Sequence, residues 1–237
     1  MSLTIGSGPF GTSPAGAFDF DPPERVTFVE PLGRRVRAVF GNQTVIDSDE
    51  VRLVHATGAL PRYLFPADDV HVESQSHPAV EGFVTVEWDA VDAWFEEDER
   101  VLVHPRDPYH RIDSFGTSRR VEVSVDGVAL AASTRVVALY ETSLPIRYYF
   151  PRADVYLDRL VSSDTVTECA YKGSAVHWGA VVGDRAESDV AWSYDDEVRR
   201  EAEPVRGRIA FYNERVDLDV DGIRLDRPRT KWSRGSP

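Results

Sequence analysis

Alternation of apolar and polar residues predicts β-strands along most of this chain. In Val121–Val125, three valines alternate with polar residues, which is the period of two expected for a strand with one buried face. Asp126-Gly127 is a strong hairpin-turn signal, and the apolar segment Val128–Ala132 follows it. The segments on either side of Gly41-Asn42 repeat this arrangement. The pattern therefore predicts a mainly β protein built from hairpins.

Helix signals are few, and we expect one short helix in each half of the chain. Asp89 can cap a helix in which three apolar residues have helical spacing, namely Val91, Trp94 and Phe95. Asp195 can cap a second helix, which should end near Glu203 because Pro204 disfavours its continuation.

The chain contains two copies of one unit. When it is shifted by 85 residues along itself, Arg62–Pro66 falls on Arg147–Pro151 without a gap. Near the end of each copy, Arg100–Val103 resembles Arg208–Phe211 at a larger shift, so the first copy is trimmed and lacks the stretch around 160–190. We therefore predict an extended N-terminal arm, two β units and a flexible tail, at residues 1–27, 28–116, 117–227 and 228–237.

Composition narrows the class of protein. The net charge of −13 argues against nucleic acid as a partner, because phosphates require a basic surface. No apolar stretch approaches the ~20 residues of a membrane span, so no membrane partner is expected. The single cysteine, Cys169, excludes an internal disulfide and fits a cytoplasmic location. The oligomeric state does not follow from the sequence.

The segment Cys169–Trp178 is a candidate site. If Lys172-Gly173-Ser174 is a three-residue hairpin loop, Cys169 faces His177 and the two can act as nucleophile and base. A two-residue turn would move His177 to the opposite face. The alternative is that Cys169 is a small buried apolar group, which is its commoner role in a β protein.

The segment His104–Arg111 concentrates two arginines, two histidines and a tyrosine between prolines that stiffen the loop. Arginine offers a planar fork of donors, which suits recognition of a carboxylate or phosphate. In the alternative interpretation, Asp107 and Asp113 pair with Arg106 and Arg111 to lock the joint between the units.

Residues kept in both copies are expected to serve the common fold. We predict that Arg62 pairs with Asp69, and that Arg147 pairs with Asp154. The neighbouring aromatic residues should pack in the core or at its edge: Tyr63, Phe65, Tyr148, Tyr149 and Phe150. The second copy also contains Trp192, Tyr194 and Tyr212, which either line a pocket or form plain core.

Several of these motifs resemble the domain-of-unknown-function 427 family. They are Arg147–Pro151 with Asp154-Val155, Cys169–Gly173, Ala191–Tyr194, Ala210–Tyr212 followed by Arg215–Asp217, and, as in two-copy members, His104–Arg111. The resemblance covers most of residues 30–225 and implies two tandem small domains of the β-tent or barrel-like type.

Relatives of that fold bind zinc, but one cysteine cannot supply a four-ligand zinc site, so no metal or cofactor is expected. The family sometimes carries a nucleotidyltransferase label. The chain has no Gly-rich phosphate loop or acidic metal pair to support it. Ala170 stands where the family usually has proline.

Three functions are consistent with these features. The first is binding of a small anionic or polar molecule in a pocket near the joint of the units. The second is an enzyme of unassigned reaction that uses Cys169 and His177. The third is a structural or protein-interaction module. The ligand-binding candidates are His104, Arg106, Tyr109, His110, Arg111, Arg147, Tyr149, Tyr171, Lys172, Trp192, Tyr194 and Tyr212.

Overall fold

A computed structural model describes residues 3–183 and 185–233, which divide into two compact units, 1–111 and 112–237. Both units are mainly β, as predicted, and all their strand pairs are antiparallel. The division lies just before Ile112–Gly116 because that strand pairs within the second unit.

The first unit has nine strands: β1 (Thr27–Pro31), β2 (Val36–Phe40), β3 (Gln43–Ser48), β4 (Arg52–Ala56), β5 (Arg62–Pro66), β6 (Gln75–Ser76), β7 (Phe83–Thr85), β8 (Ala93–Glu96) and β9 (Glu99–Val101). They form two open sheets of order β1-β4-β5-β7-β6 and β3-β2-β8-β9. A core that includes Leu53, Tyr63, Phe65 and Trp94 lies between them.

The second unit has eleven strands: β10 (Ile112–Gly116), β11 (Val121–Val125), β12 (Val128–Ser133), β13 (Val137–Glu141), β14 (Arg147–Phe150), β15 (Leu160–Cys169), β16 (Gly173–Val182), β17 (Arg185–Ser193), β18 (Ile209–Phe211), β19 (Asp217–Val220) and β20 (Ile223–Arg224). The large sheet has the order β10-β13-β14-β18-β17-β16-β15, and the small one β12-β11-β19-β20. One core lies between the sheets, and a second covers the other face of the large sheet.

The two predicted hairpin turns are confirmed. Gly41-Asn42 joins β2 to β3, and Asp126-Gly127 joins β11 to β12. All four residues have positive φ, between 48° and 80°, as a two-residue turn of the primed type requires. Each hairpin also has a register shift at the same point, after Ala38 or Val123. The duplicated sequence therefore forms duplicated hairpins.

The predicted match between the ends of the two copies is wrong. Strand β7 corresponds to β18, because each pairs with the strand that contains the repeated Arg-Tyr motif, β5 or β14. Strands β8 and β19 correspond in turn, since each pairs with the first hairpin strand of its unit. Short β6 stands where the second unit has the long strands β15 to β17.

The two predicted helices are replaced by other structure. Ala93–Glu96 is a strand, because Trp94 and Glu96 alternate into the core while β8 pairs with β2. Near the second, only a short 3-10 helix forms, at Arg200–Val205 with Pro204 inside it. The other 3-10 helices are Ala67–Asp69, Trp88–Ala90, Arg152–Asp154 and Leu157–Arg159, and no α-helix occurs in the described residues.

The described parts of the terminal segments are folded onto their units. The N-terminal arm consists of turns and bends and is not an extended segment. The Gly58 amide donates a hydrogen bond to the carbonyl oxygen of Thr4. In the tail, Thr230 and Trp232 contact the second unit through hydrogen bonds. Residues 234–237 of the predicted flexible tail lie outside the described residues.

Candidate functional site

One buried group of candidate residues surrounds Arg147, the first residue of β14. Its guanidinium donates two hydrogen bonds of 2.7 Å to the two carboxylate oxygens of Glu214. Rings of Trp192, Tyr212 and Trp232 lie 5.5 to 5.8 Å from its central carbon. Burial acts to raise the pKa of Glu214, but the guanidinium outweighs it, and the net pKa lies below the ordinary value. This ion pair is thus held in the charged form.

The C-terminal segment completes this group. The Thr230 hydroxyl donates to Glu214 at 2.6 Å, and the Trp232 carbonyl accepts a hydrogen bond from Arg215 Nε at 3.0 Å. The Trp232 ring also lies 6.2 Å from that of Tyr212. The tail therefore supplies part of the packing around Arg147.

The predicted arginine partners are wrong. Arg62 pairs with Glu87 at 2.9 Å, and Arg147 with Glu214. Both glutamates follow the strand that pairs with the Arg-Tyr strand, so the two units repeat one arrangement. Asp154 instead accepts hydrogen bonds from Arg135 and Ser133. The arginines were correctly assigned to the common fold, but their partners come from a later strand.

A second buried group surrounds Lys172. Its ammonium donates to the Glu141 carboxylate, and both side chains are at most one-tenth exposed. Burial acts to lower the pKa of Lys172, but Glu141 and neighbouring ionisable groups outweigh it, and the pKa lies well above its ordinary value. Burial raises the pKa of Tyr149 to about 12 and that of Tyr194 well above its ordinary value. These groups keep their protons at neutral pH.

The two buried groups are linked, and the polar residues around Lys172 are replaced by apolar ones in the first unit. Trp192 Nε1 donates to the Tyr149 hydroxyl at 3.2 Å, which joins the surroundings of Arg147 to those of Lys172. In the first unit, Ala56 and Leu64 stand at the positions of Glu141 and Tyr149. The aromatic candidates Trp192 and Tyr194 are buried with them, and Tyr171 is buried too.

The predicted pairing of Cys169 with His177 is wrong. Cys169 lies opposite Gly173, and the turn consists of Ala170-Tyr171-Lys172. The register is shifted because the chain at Glu197 packs against Gly173: a Cβ on Gly173 would lie 1.8 Å from the Glu197 carbonyl oxygen. His177 instead lies opposite Trp192 and contacts Thr167 Oγ1 at 2.9 Å through Nε2. Cys169 and His177 therefore do not form the predicted nucleophile–base pair.

His177 nevertheless occupies an unusual polar environment. It is almost fully buried, it stacks on Tyr212 at 6.2 Å, and its Nδ1 atom has no hydrogen-bond partner in the described chain. Burial is the main effect on the pKa of His177 and lowers it. Asp189 acts against burial by raising this pKa, whereas Arg215 lowers it further. The imidazole is therefore neutral at pH 7.

The loop His104–Arg111 lies in the first unit, and its tyrosine fills a space in that unit. The Tyr109 hydroxyl donates to Glu30 Oε2 at 2.9 Å, and its ring lies edge-on to His55, 5.7 Å between centroids. His55 also contacts Glu30 Oε1 at 2.9 Å. Asp107 fixes the turn by accepting a hydrogen bond from the Tyr109 amide. Anion recognition by His104, Arg106, His110 and Arg111 stays a prediction.

The second unit has an open cleft lined by residues on or beside strands β10, β13 and β14 of the large sheet. Its volume is about 480 Å³, and its lining includes Phe115, Arg119, Tyr140 and Tyr148. Phe115 and Tyr140 are about half exposed, and their rings meet edge to face at 5.8 Å. Arg119 pairs with Asp221 at 2.7 Å at the rim. Its volume lies in the range seen for small-molecule sites.

This cleft is the counterpart of the space that Tyr109 fills in the first unit. Strand pairing places Tyr140 at the position of His55, and Phe115 at that of Glu30. Tyr148 corresponds to Tyr63. The Tyr63 hydroxyl is bonded to Glu96 at 2.6 Å. In the second unit Val220 stands at the position of Glu96, so the carboxylate that accepts the Tyr63 hydroxyl is replaced by an apolar side chain.

The cleft residues Phe115, Arg119 and Tyr140 were not among the site residues predicted from the sequence. The alignment of the copies contained a signal for them, since the 85-residue shift places aromatic Tyr140 on His55 and Phe115 on Glu30. An exchange of a polar residue for a large aromatic one, at strand positions that are exposed in the second unit, indicates a changed surface. A pocket at the joint of the units stays a prediction.

No cluster of potential metal ligands and no helix long and apolar enough to cross a membrane occurs in residues 3–183 and 185–233. The fold and the cleft define a tandem-repeat, mainly β protein in which Tyr109 lies against one face of the first copy and the corresponding face of the second forms an open cleft. A family model described as domain of unknown function (DUF427) matches residues 28–83 and 114–222. The chain therefore belongs to this family, in a two-copy form. A search among curated proteins found no match.

Proposed function

We propose that this protein binds a small polar molecule in the open cleft of its second unit. The observation that carries the proposal is the contrast between the copies. The same face is occupied by Tyr109 in the first unit and forms a cleft of about 480 Å³ in the second. A volume of this size is typical of small-molecule sites.

The charges at the cleft favour a polar ligand over a strongly anionic one. Arg119 is the basic residue of the lining, and Asp221 already neutralises it. Asp113 adds a carboxylate to the lining. A phosphate would have to displace Asp221 from the guanidinium, whereas a neutral ligand would leave that pair intact.

The enzyme alternative has less support. Cys169 and His177 do not face each other, and Lys172 is tied to Glu141 with a raised pKa, which opposes its use as a nucleophile. A cytoplasmic location fits the single cysteine and remains part of the proposal.

Ligand-observed NMR with a mixed library of carboxylates, nucleotides, sugar phosphates and phenols tests the proposal. Wild-type protein should bind at least one compound, and Tyr140→Ala should weaken that binding. Tyr156→Ala is the matched control, because Tyr156 is an exposed tyrosine of the same unit outside the cleft lining. Binding that survives Tyr140→Ala unchanged would place the site elsewhere and refute the proposal.

A further inference from the structure

We infer that the ligand of the open cleft is a small molecule with a planar aromatic ring, held as the first unit holds the ring of Tyr109. The inference rests on the proposed function, because it requires the cleft to be a binding site. The ligand class follows from the comparison of the cleft with the corresponding face of the first unit.

Tyr109 is the structural precedent within the same chain. It reaches its position from the loop after β9 and not from the sheet that it covers. Its ring meets His55 edge-on at an interplanar angle of 61°, and Phe28 stacks on the same imidazole at 6.0 Å. This face of the fold thus already accommodates an added aromatic ring.

Two residues that contact Tyr109 in the first unit are replaced in the second. The replacements keep a space suited to an aromatic ring but remove the hydrogen-bond acceptor of the Tyr109 hydroxyl. Tyr140 replaces His55, so an aromatic face remains available for stacking. Phe115 replaces Glu30, so the carboxylate that accepts the Tyr109 hydroxyl is lost. Aromatic rings prefer edge-on or offset contacts, and Phe115 and Tyr140, at an interplanar angle of 72°, offer both an edge and a face.

A polar substituent on the ring has a defined partner. Tyr148 lines the cleft, and its side chain carries a hydroxyl that can donate or accept a hydrogen bond. A phenol hydroxyl or a carbonyl on the ligand can exchange a hydrogen bond with it. The Arg119–Asp221 pair at the rim provides a second polar contact without a net charge. The expected ligand is therefore a neutral, phenol-like aromatic molecule.

Two probes of similar size separate an aromatic site from a merely apolar one. We would titrate isotope-labelled protein with p-cresol and, separately, with 4-methylcyclohexanol, and follow amide shifts by NMR. We expect p-cresol to shift amides of Phe115, Thr117 and Tyr140, and the saturated alcohol to bind about tenfold more weakly, because stacking is lost. Tyr140→Ala should abolish the preference, and Tyr156→Ala should keep it.

The first unit provides an independent test. Tyr109→Ala should vacate the space beside His55 and Glu30, so that p-cresol binds with a stoichiometry of two instead of one, with new shifts at His55. Tyr109→Phe is the conservative variant and should keep one site, because its ring still fills the space. Circular dichroism would verify that both variants are folded.

The outcomes distinguish this inference from the proposed function. Equal binding of the two probes at the cleft, or selection of non-aromatic compounds there from the library, would overturn the aromatic assignment and leave the binding proposal standing. No shift at the cleft with any compound would overturn both. A second p-cresol site in Tyr109→Ala, lost again in Tyr109→Phe, would support the inference directly.

Discussion

Arg147 and Glu214 form a two-point ion pair whose side chains are 6% and 0% exposed. The equivalent pair in the first unit, Arg62 and Glu87, is 52% and 48% exposed. One motif therefore forms an equivalent ion pair in two environments, with two hydrogen bonds in the buried pair and one in the exposed pair. The chain contains its own control for the energetic effect of burying an ion pair.

Truncation of Arg147 should destabilise the protein far more than truncation of Arg62. Arg147→Ala leaves a buried carboxylate without its cation, which typically costs about 3–5 kcal/mol, whereas exposed pairs contribute about 0–1 kcal/mol. Urea unfolding of Arg147→Ala and Arg62→Ala would measure the difference. Similar losses in the two variants would contradict the assigned role of burial.

The Lys172–Glu141 pair should behave as a unit. Lys172→Met removes the ammonium beside a buried carboxylate and should cost about 3–5 kcal/mol. The double variant Lys172→Met with Glu141→Ala should recover much of that loss, because the first unit is built with Ala56 at the equivalent position. Thermal and urea unfolding of the wild type, single and double variants would give the coupling. Additive losses would show that the two groups do not interact.

Gly173 should be intolerant of any side chain. Its φ is +99°, and a Cβ would lie 1.8 Å from the Glu197 carbonyl oxygen, so Gly173→Ala must displace the segment that covers Lys172. Gly127→Ala is the matched control, because Gly127 has φ of +80° but no atom within 4 Å of a Cβ.

We expect Gly127→Ala to cost about 1–2 kcal/mol from backbone strain alone, and Gly173→Ala to cost more. Differential scanning calorimetry would compare the two. If Gly173→Ala proved no worse than Gly127→Ala, the close approach of Glu197 would not be a constraint in solution.

Stability should fall as the pH drops below the ordinary pKa of histidine, in part through His177. Burial lowers the pKa of His177 in the folded state, so the unfolded chain takes up its proton first, near pH 6.5. The stabilisation is therefore complete above about pH 6.5 and is lost progressively as the pH falls below that value.

Urea unfolding at pH 5.5 and 7.5 would measure the effect of His177. His177→Gln cannot titrate and should show a smaller difference between the two pH values. NMR of the imidazole should give a pKa below 6.5. A pKa above 6.5, or an equal pH dependence in the variant, would contradict the neutral, buried state.

Local patterns predicted much of the fold. The Gly41-Asn42 and Asp126-Gly127 turns were identified correctly because a positive φ at both turn positions restricts the residue types. The segment 93–96 was misassigned because a short apolar run fits helical and strand spacing alike, and pairing with β2 decided between them.

The sequence by itself determined the duplication, the mainly β class and the residues shared by both copies, because these follow from repeated motifs, alternation and turn chemistry. Only the tertiary structure decided which residues contact each other across distant parts of the chain. Glu214 reaches Arg147 from 67 residues away, and the approach of Glu197 to Gly173 sets the hairpin register. Tyr109 lies against Glu30 in the first unit, whereas the corresponding face of the second unit forms a cleft. Such contacts join segments whose spacing along the chain carries no local signal.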